Sequence, residues 1–189
     1  SDEHRRFELL LRLPHPDGDA ALARPADFLP VAERHGLIRE IDRWVAARAV
    51  EIAAACRRAG EDVRLEVNLS GQSLVYPRLP AHIAELITAS GAGPEQLIFE
   101  VTETAAIDSL HEARTLATNL VELGCEFAID DFGVGFGSFA YLEHLPIQYV
   151  KIDGDFIRRL PSSPNDQLVV RAVATIAKGM GKRTIAEFV

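Results

Sequence analysis

The sequence predicts an α/β fold on a parallel sheet, and within that class a (β/α)8 TIM-type barrel rather than an open doubly wound sheet. Two observations carry this. Short apolar strand candidates alternate with amphipathic helix candidates along the chain. Polar residues also sit at or near the ends of nearly every strand candidate, as they do at the mouth of a barrel. An open sheet would string them along an edge, with most sites at one switch point. The strand count falls short of closure. Six strand candidates are present where a closed barrel has eight, and the sequence both opens and stops in a strand.

The elements follow in order. RFELLLRL (6–13) is a strand, and period-two alternation puts Glu8, Leu10 and Arg12 on one face. A helix over 25–36 starts at Pro25 and stops at Gly36. Residues 38–60 form a long amphipathic helix with Ile41, Trp44, Val45, Ala49 and Ile52 as its apolar stripe. VRLEVNLS (63–70) is a strand with Asn68 near its end, and 79–91 is a helix. LIFEVTET (97–104) is a strand that places Ile98, Glu100 and Thr102 on one face. A helix over 109–124 leads to the strand EFAIDD (126–131). After a glycine loop come the strand YVKID (149–153), a helix over 165–181 and a last strand over 182–189.

Composition narrows the function. The chain has 189 residues, 48% of them hydrophobic, enough for one domain with a sizeable core. A net charge of −8 disfavours a nucleic acid polymer as partner, because that needs a basic surface. It leaves room for a small anion held by metal ions and a few placed cations. No apolar run approaches the roughly 20 residues that cross a bilayer, so no membrane contact is expected. The first residues lack the order of a signal peptide, and a cytoplasmic location is expected. Cys56 and Cys125 lie far apart in sequence and read as reduced, small apolar groups.

The chemistry centres on AIDDFGVGFGS (128–138). A phosphate-binding P-loop would end in Gly-Lys-Ser/Thr, and here Ser138 follows Gly137 with no lysine. The glycine spacing does not suit a dinucleotide loop. No kinase catalytic loop accompanies Asp131-Phe132-Gly133. What remains is a plain flexible loop or a mobile loop beside a site.

The acids are more informative. Glu8, Glu100, Asp130, Asp131 and Glu187 fall at strand ends, with only Arg12 and Lys151 to balance them. Gathered together they repel unless a cation sits between them. Hard divalent ions with oxygen ligands, Mg²⁺ or Mn²⁺, meet that need, and Asn68 adds a neutral carbonyl oxygen. Adjacent aspartates on a strand face opposite ways, so Asp130 and Asp131 serve one site only where the strand is ending. Lys151, between apolar neighbours, reads either as a structural ion pair or as a group that orients a water. Arg12 reads as a phosphate clamp or an ion-pair partner.

Taken together these residues resemble the EAL domain family, bacterial phosphodiesterases of cyclic di-GMP. Glu8-Leu9-Leu10 with Leu11-Arg12 is similar to the signature Glu-Ala-Leu-Leu-Arg. Phe28-Leu29-Pro30, Ala32-Glu33, Gly36-Leu37-Ile38, Val67-Asn68-Leu69-Ser70 and Glu100-Val101-Thr102-Glu103 follow the family's order. So do Asp130-Asp131-Phe132-Gly133, Lys151-Ile152-Asp153 and Ala186-Glu187.

The resemblance implies a modified (β/α)8 barrel holding two ions, Mg²⁺ or Mn²⁺, and hydrolysis of cyclic di-GMP to linear pGpG. Glu8, Asn68, Glu100, Asp130 and Asp131 would be metal ligands, with Asp130 bridging. Lys151 would contact the attacking water. Glu187 would be a metal-site or general-base carboxylate. Arg12 would meet a substrate phosphate, with Leu10 beside it in the substrate-binding set. Glu103 joins the catalytic set as the residue that steadies the Asp-Asp-Phe-Gly loop. The resemblance also admits a homodimer and covalently linked regulatory domains beyond this segment.

Some positions depart from the family pattern. Leu9 stands for the signature alanine, Val134, Phe136 and Gly137 stand in the loop, and Phe188 replaces a glycine. The family's first and last strands are expected to be missing, which leaves a single domain over 1–189 with two exposed sheet edges. The alternative function is a catalytically silent cyclic di-GMP receptor or scaffold. A metal-dependent phosphodiesterase for another ester stands behind both.

Overall fold

The structure, a computed structural model, describes residues 5–14, 22–133 and 139–187. The chain divides into two compact units, Ser1–Leu97 and Ile98–Val189. Six parallel strands are described, β1 and β4 in the first unit and β5 to β8 in the second.

In the first unit, β1 (Arg5–Glu8) pairs in parallel with β4 (Val63–Asn68), Arg5 opposite Val63 and Glu8 opposite Glu66. The predicted strand over 6–13 is therefore too long. After Leu9 donates its N–H to the Glu66 carbonyl, the chain leaves β4. Its next residues enter a local antiparallel ribbon, β2 (Leu13–Pro14) with β3 (Leu22–Ala23). Leu10 and Arg12 consequently share no sheet face with Glu8.

Helix α1 (Pro25–Arg34) opens with proline, and the Asp27 carboxylate accepts the Arg24 backbone N–H three residues back. Helix α2 (Ile38–Arg58) buries Ile38, Asp42, Ala46, Ala49 and Ala53. Of the predicted stripe Ala49 is buried as expected, but the inward face is rotated away from the four larger residues. Trp44 is exposed, Ile41, Val45 and Ile52 are half-buried, and small residues face inward so that the helix seats closely. Short α3 (Gly71–Leu74) and α4 (Leu79–Ser90) follow, and α4 ends on Gly91 in the left-handed region at φ 71°.

The second unit places its strands in the order β5 (Leu97–Thr102), β6 (Glu126–Phe132), β7 (Tyr149–Ile152), β8 (Arg183–Ala186), all parallel. Helices α5 (Glu103–Asp108), α6 (Leu110–Glu122), α7 (Gly154–Arg159) and α8 (Pro164–Gly179) connect them. Caps mark their starts. Thr102 Oγ1 accepts the Ala105 N–H, an Asp153 carboxylate oxygen accepts the Asp155 N–H, and Ser163 Oγ accepts the Asp166 N–H. Ile98, Phe99, Phe127, Ala128, Ile129 and Val150 are fully buried and form the centre of this sheet.

The last strand is shorter than predicted, and Glu187 lies just past its end. Phe188 and Val189 fall outside the described residues. Cys125 is buried and Cys56 half-buried. No described helix is long and apolar enough to cross a membrane.

Candidate functional site

The second unit builds its charged centre around one lysine. Lys151 sits on β7 between buried Val150 and Ile152 and is only 1% exposed. Its Nζ lies 2.9 Å from Glu100 Oε1, 2.7 Å from Glu187 Oε1 and 3.5 Å from Asp130 Oδ1. Burial alone would lower the ammonium's pKa, but Glu100, Asp130 and Glu187 hold it well above the usual lysine range. The surrounding carboxylates therefore favour the charged ammonium in the metal-free chain. The structural ion pair is present, and it is made with acids that were nominated for the site.

Asp130 and Asp131 come beside Lys151 through a bulge. In the pairing of β6 with β7, Ile129 lies opposite Val150 and Phe132 opposite Ile152, so two aspartates oppose one lysine. The strand continues to Phe132 instead of ending at Asp131. The bulge, together with a left-handed φ of 51° at Asp131, achieves what a strand end was expected to supply. Asp131 is exposed, yet partial burial and then the charges of Asp130, Asp153 and Glu187 push its carboxyl up to about 6. Asp130 Oδ1 is buried and accepts no hydrogen bond.

Glu103 is buried at the head of α5 and holds the chain that follows the aspartates. One carboxylate oxygen accepts the Gly133 N–H at 2.8 Å and the other accepts the Tyr141 hydroxyl at 3.0 Å. Burial and the adjacent carboxylate drive the Tyr141 phenol far above its usual value, so it remains a donor. Gly133 has a φ of 105°, and an added Cβ would stand 3.0 Å from Phe156 Cε2. Sequence reading places Glu103 near this loop but misses Tyr141, one aromatic residue in the short segment FAYLEH with no periodicity to mark it. The loop positions Val134, Phe136 and Gly137 fall outside the described residues.

In the first unit, Asn68 Nδ2 donates to Glu8 Oε1 at 2.9 Å. This bond fixes the amide and turns Asn68 Oδ1 into its remaining acceptor. Leu10 and Arg12 are exposed. The Arg12 guanidinium donates to the Leu11 carbonyl, and both residues line a largely apolar groove with Leu9, Trp44 and Ile52.

The structure thus brings Glu100, Asp130, Asp131, Lys151 and Glu187 together within one unit, and Glu8 with Asn68 within the other. Every candidate donor is a hard oxygen, and the acids around Lys151 outnumber it, which suits a divalent cation in kind and in charge. As they stand, no three His, Cys, Asp or Glu residues among those described are placed to hold one ion between them.

A parallel α/β scaffold with acids clustered at its strand ends defines the class of this protein. The chain belongs to the EAL domain family, whose model matches residues 1–189. It is 37% identical over its whole length to the cyclic di-GMP phosphodiesterase PdeB of Shewanella oneidensis, and covers 22% of that protein. It is 36% identical over 182 residues to the cyclic di-GMP phosphodiesterase PdeF of Escherichia coli, with 96% of this chain and 24% of the relative covered. The chain therefore spans under a quarter of each of these relatives. Among solved structures it matches the FimX EAL domain at a TM-score of 0.91 and 34% identity, covering 100% of this chain and 75% of that one. The FimX EAL domain from Pseudomonas aeruginosa bound to c-di-GMP matches at 0.89 and 33% identity, covering 98% and 74%.

Proposed function

We propose that this chain carries out the metal-dependent hydrolysis of cyclic di-GMP to linear pGpG. One observation carries the reading: Glu100, Asp130 and Glu187 cluster around a single buried cation, and Asp130 keeps a buried oxygen that accepts no hydrogen bond. The names of the relatives supply the substrate.

The proposal assigns metal ligation to Glu8 and Asn68 in the first unit and to Glu100, Asp130 and Asp131 in the second. Bound there, two Mg²⁺ or Mn²⁺ ions would supply Lewis acidity toward the phosphate and the attacking water.

The remaining roles belong to the chain's own side chains. Lys151, whose ammonium form is favoured by Glu100, Asp130 and Glu187, acts as a donor that orients a water oxygen. Glu187 is the carboxylate best suited to take the water's proton, since it is one-fifth exposed and hydrogen-bonded to Lys151. Arg12 meets a phosphate oxygen and Leu10 an apolar part of the ligand, both from the exposed stretch after β1. Glu103, with Tyr141, holds Gly133 and so steadies the chain leaving the two aspartates.

The test is incubation with cyclic di-GMP plus Mn²⁺ or Mg²⁺, an EDTA control, and chromatography of the products. Metal-dependent pGpG is the expected result. Asp130→Asn should lower the rate by at least ~10³-fold while leaving the fold intact. A second reading, a binding-only domain, draws on the absence of a ready acid trio for an ion among the described residues. Tight cyclic di-GMP binding without product would establish it.

A further inference from the structure

Strand β4 ends at Asn68, and the chain turns at once into α3. That turn is tied to a single side chain on α2. Asp42 Oδ2 accepts the Ser70 backbone N–H at 2.9 Å, the Ser70 hydroxyl at 2.6 Å and the Ser73 hydroxyl at 2.6 Å. Asp42 is 4% exposed, and no lysine, arginine or histidine among the described residues forms an ion pair with it.

A buried carboxylate without a cation is unfavourable, and neutral donors offset it only in part. Burial accordingly raises the Asp42 carboxyl despite all three bonds. On the buried stripe of α2 it stands between Ile38 and Ala46, where an apolar residue would pack at lower cost. Packing therefore does not account for the aspartate, whereas the shape of the turn does. Ser70 lies two residues past Asn68, whose amide is held from the other side by Glu8.

We propose that Asp42 is a positioning residue: by clamping Ser70 and Ser73 it fixes the backbone that carries Asn68, and so tunes the affinity of Asn68 and Glu8 for a divalent cation. The inference rests on the metal-ligand reading of those two residues. Loss of a partner outside the ligand shell of a metal typically lowers affinity by about 10–100-fold.

The experiment titrates Mn²⁺ alone into the full-length protein by calorimetry. It also follows amide hydrogen exchange over residues 68–75 and the thermal midpoint. Asp42→Asn should weaken Mn²⁺ binding about 10-fold and speed exchange at the Ser70 and Ser73 amides. Ser73→Ala keeps the charge and two of the bonds, and should weaken binding only about 2–5-fold. If Asp42→Asn does not fold, Ser73→Ala and Ser70→Ala decide the matter on the same readouts. Asn68→Ala is the reference. If it weakens Mn²⁺ binding and the Asp42 and Ser73 variants do not, the positioning role is overturned while the metal-ligand reading stands. If Asn68→Ala itself leaves Mn²⁺ binding unchanged, the metal-ligand reading fails and this inference falls with it. A lowered midpoint with wild-type Mn²⁺ affinity would make Asp42 a structural clasp only.

Discussion

Lys151 and Asp42 are both buried ionisable groups, one in each unit, and the molecule accommodates them by opposite means. Lys151 is surrounded by full opposite charges on Glu100, Asp130 and Glu187. Among the described residues Asp42 is met by neutral dipoles, two hydroxyls and one backbone N–H. Neutral donors fix a geometry around one carboxylate without gathering further charge. Opposite charges in excess leave a net negative field that a second cation can satisfy. The difference separates a clamp from a site, although both would look alike as a charged residue in an apolar stretch of sequence.

The largest test of that contrast removes the cation. Lys151→Met leaves buried carboxylates uncompensated and should cost about 3–5 kcal/mol in the metal-free protein. Added Mn²⁺ should recover much of the lost thermal midpoint, because an ion replaces the missing charge. A midpoint indifferent to Mn²⁺ would break the comparison. Next in size is Tyr141→Phe, which takes one neutral donor from buried Glu103. A loss of about 1.5–3 kcal/mol is expected in urea unfolding, since the bond goes to a charged acceptor.

Asp131→Asn should act with the opposite sign. The folded carboxyl titrates near 6 and the unfolded one near 3.8, so between these values the folded chain holds the extra proton. Stability then falls as pH rises through that window and is flat above it. The variant lacks this dependence. It should be more stable than wild type above pH 6 without metal, with the gap closing toward pH 4, as thermal melts across pH would show. The smallest effect belongs to an exposed pair. Arg48→Ala removes the Arg48–Glu51 contact at 2.8 Å and should shift stability by less than ~0.5 kcal/mol.

Much of the fold was legible because hydrophobic period and punctuation agree. Pro25, Gly91 and the apolar runs of β5 and β6 mark their elements within a residue or two. The failures have physical causes. Leucines at 9–11 mimic a strand, but pairing partners decide where a strand ends, and the local ribbon took over. The α2 stripe was drawn through its largest side chains, whereas a tightly seated helix turns its alanines inward. Asp42 at i+4 from Ile38 and i−4 from Ala46 was the available signal for the clamp, masked by the surrounding charges of the helix. At the site, residue types were enough to nominate Glu100, Asp130, Lys151 and Glu187. The bulge that swings both aspartates toward one lysine is a two-strand property, and no single segment announces it.

The left-handed backbone at Asp131 has a consequence for how this molecule changes over generations. Asparagine has the shape of aspartate and enters that region about as readily. The exchange therefore leaves the bulge and the chain toward Gly133 undisturbed while deleting a negative charge. In the genetic code the two residues differ by one nucleotide. A lineage is thus a single base change away from shedding a negative charge on this bulge while the backbone keeps its path.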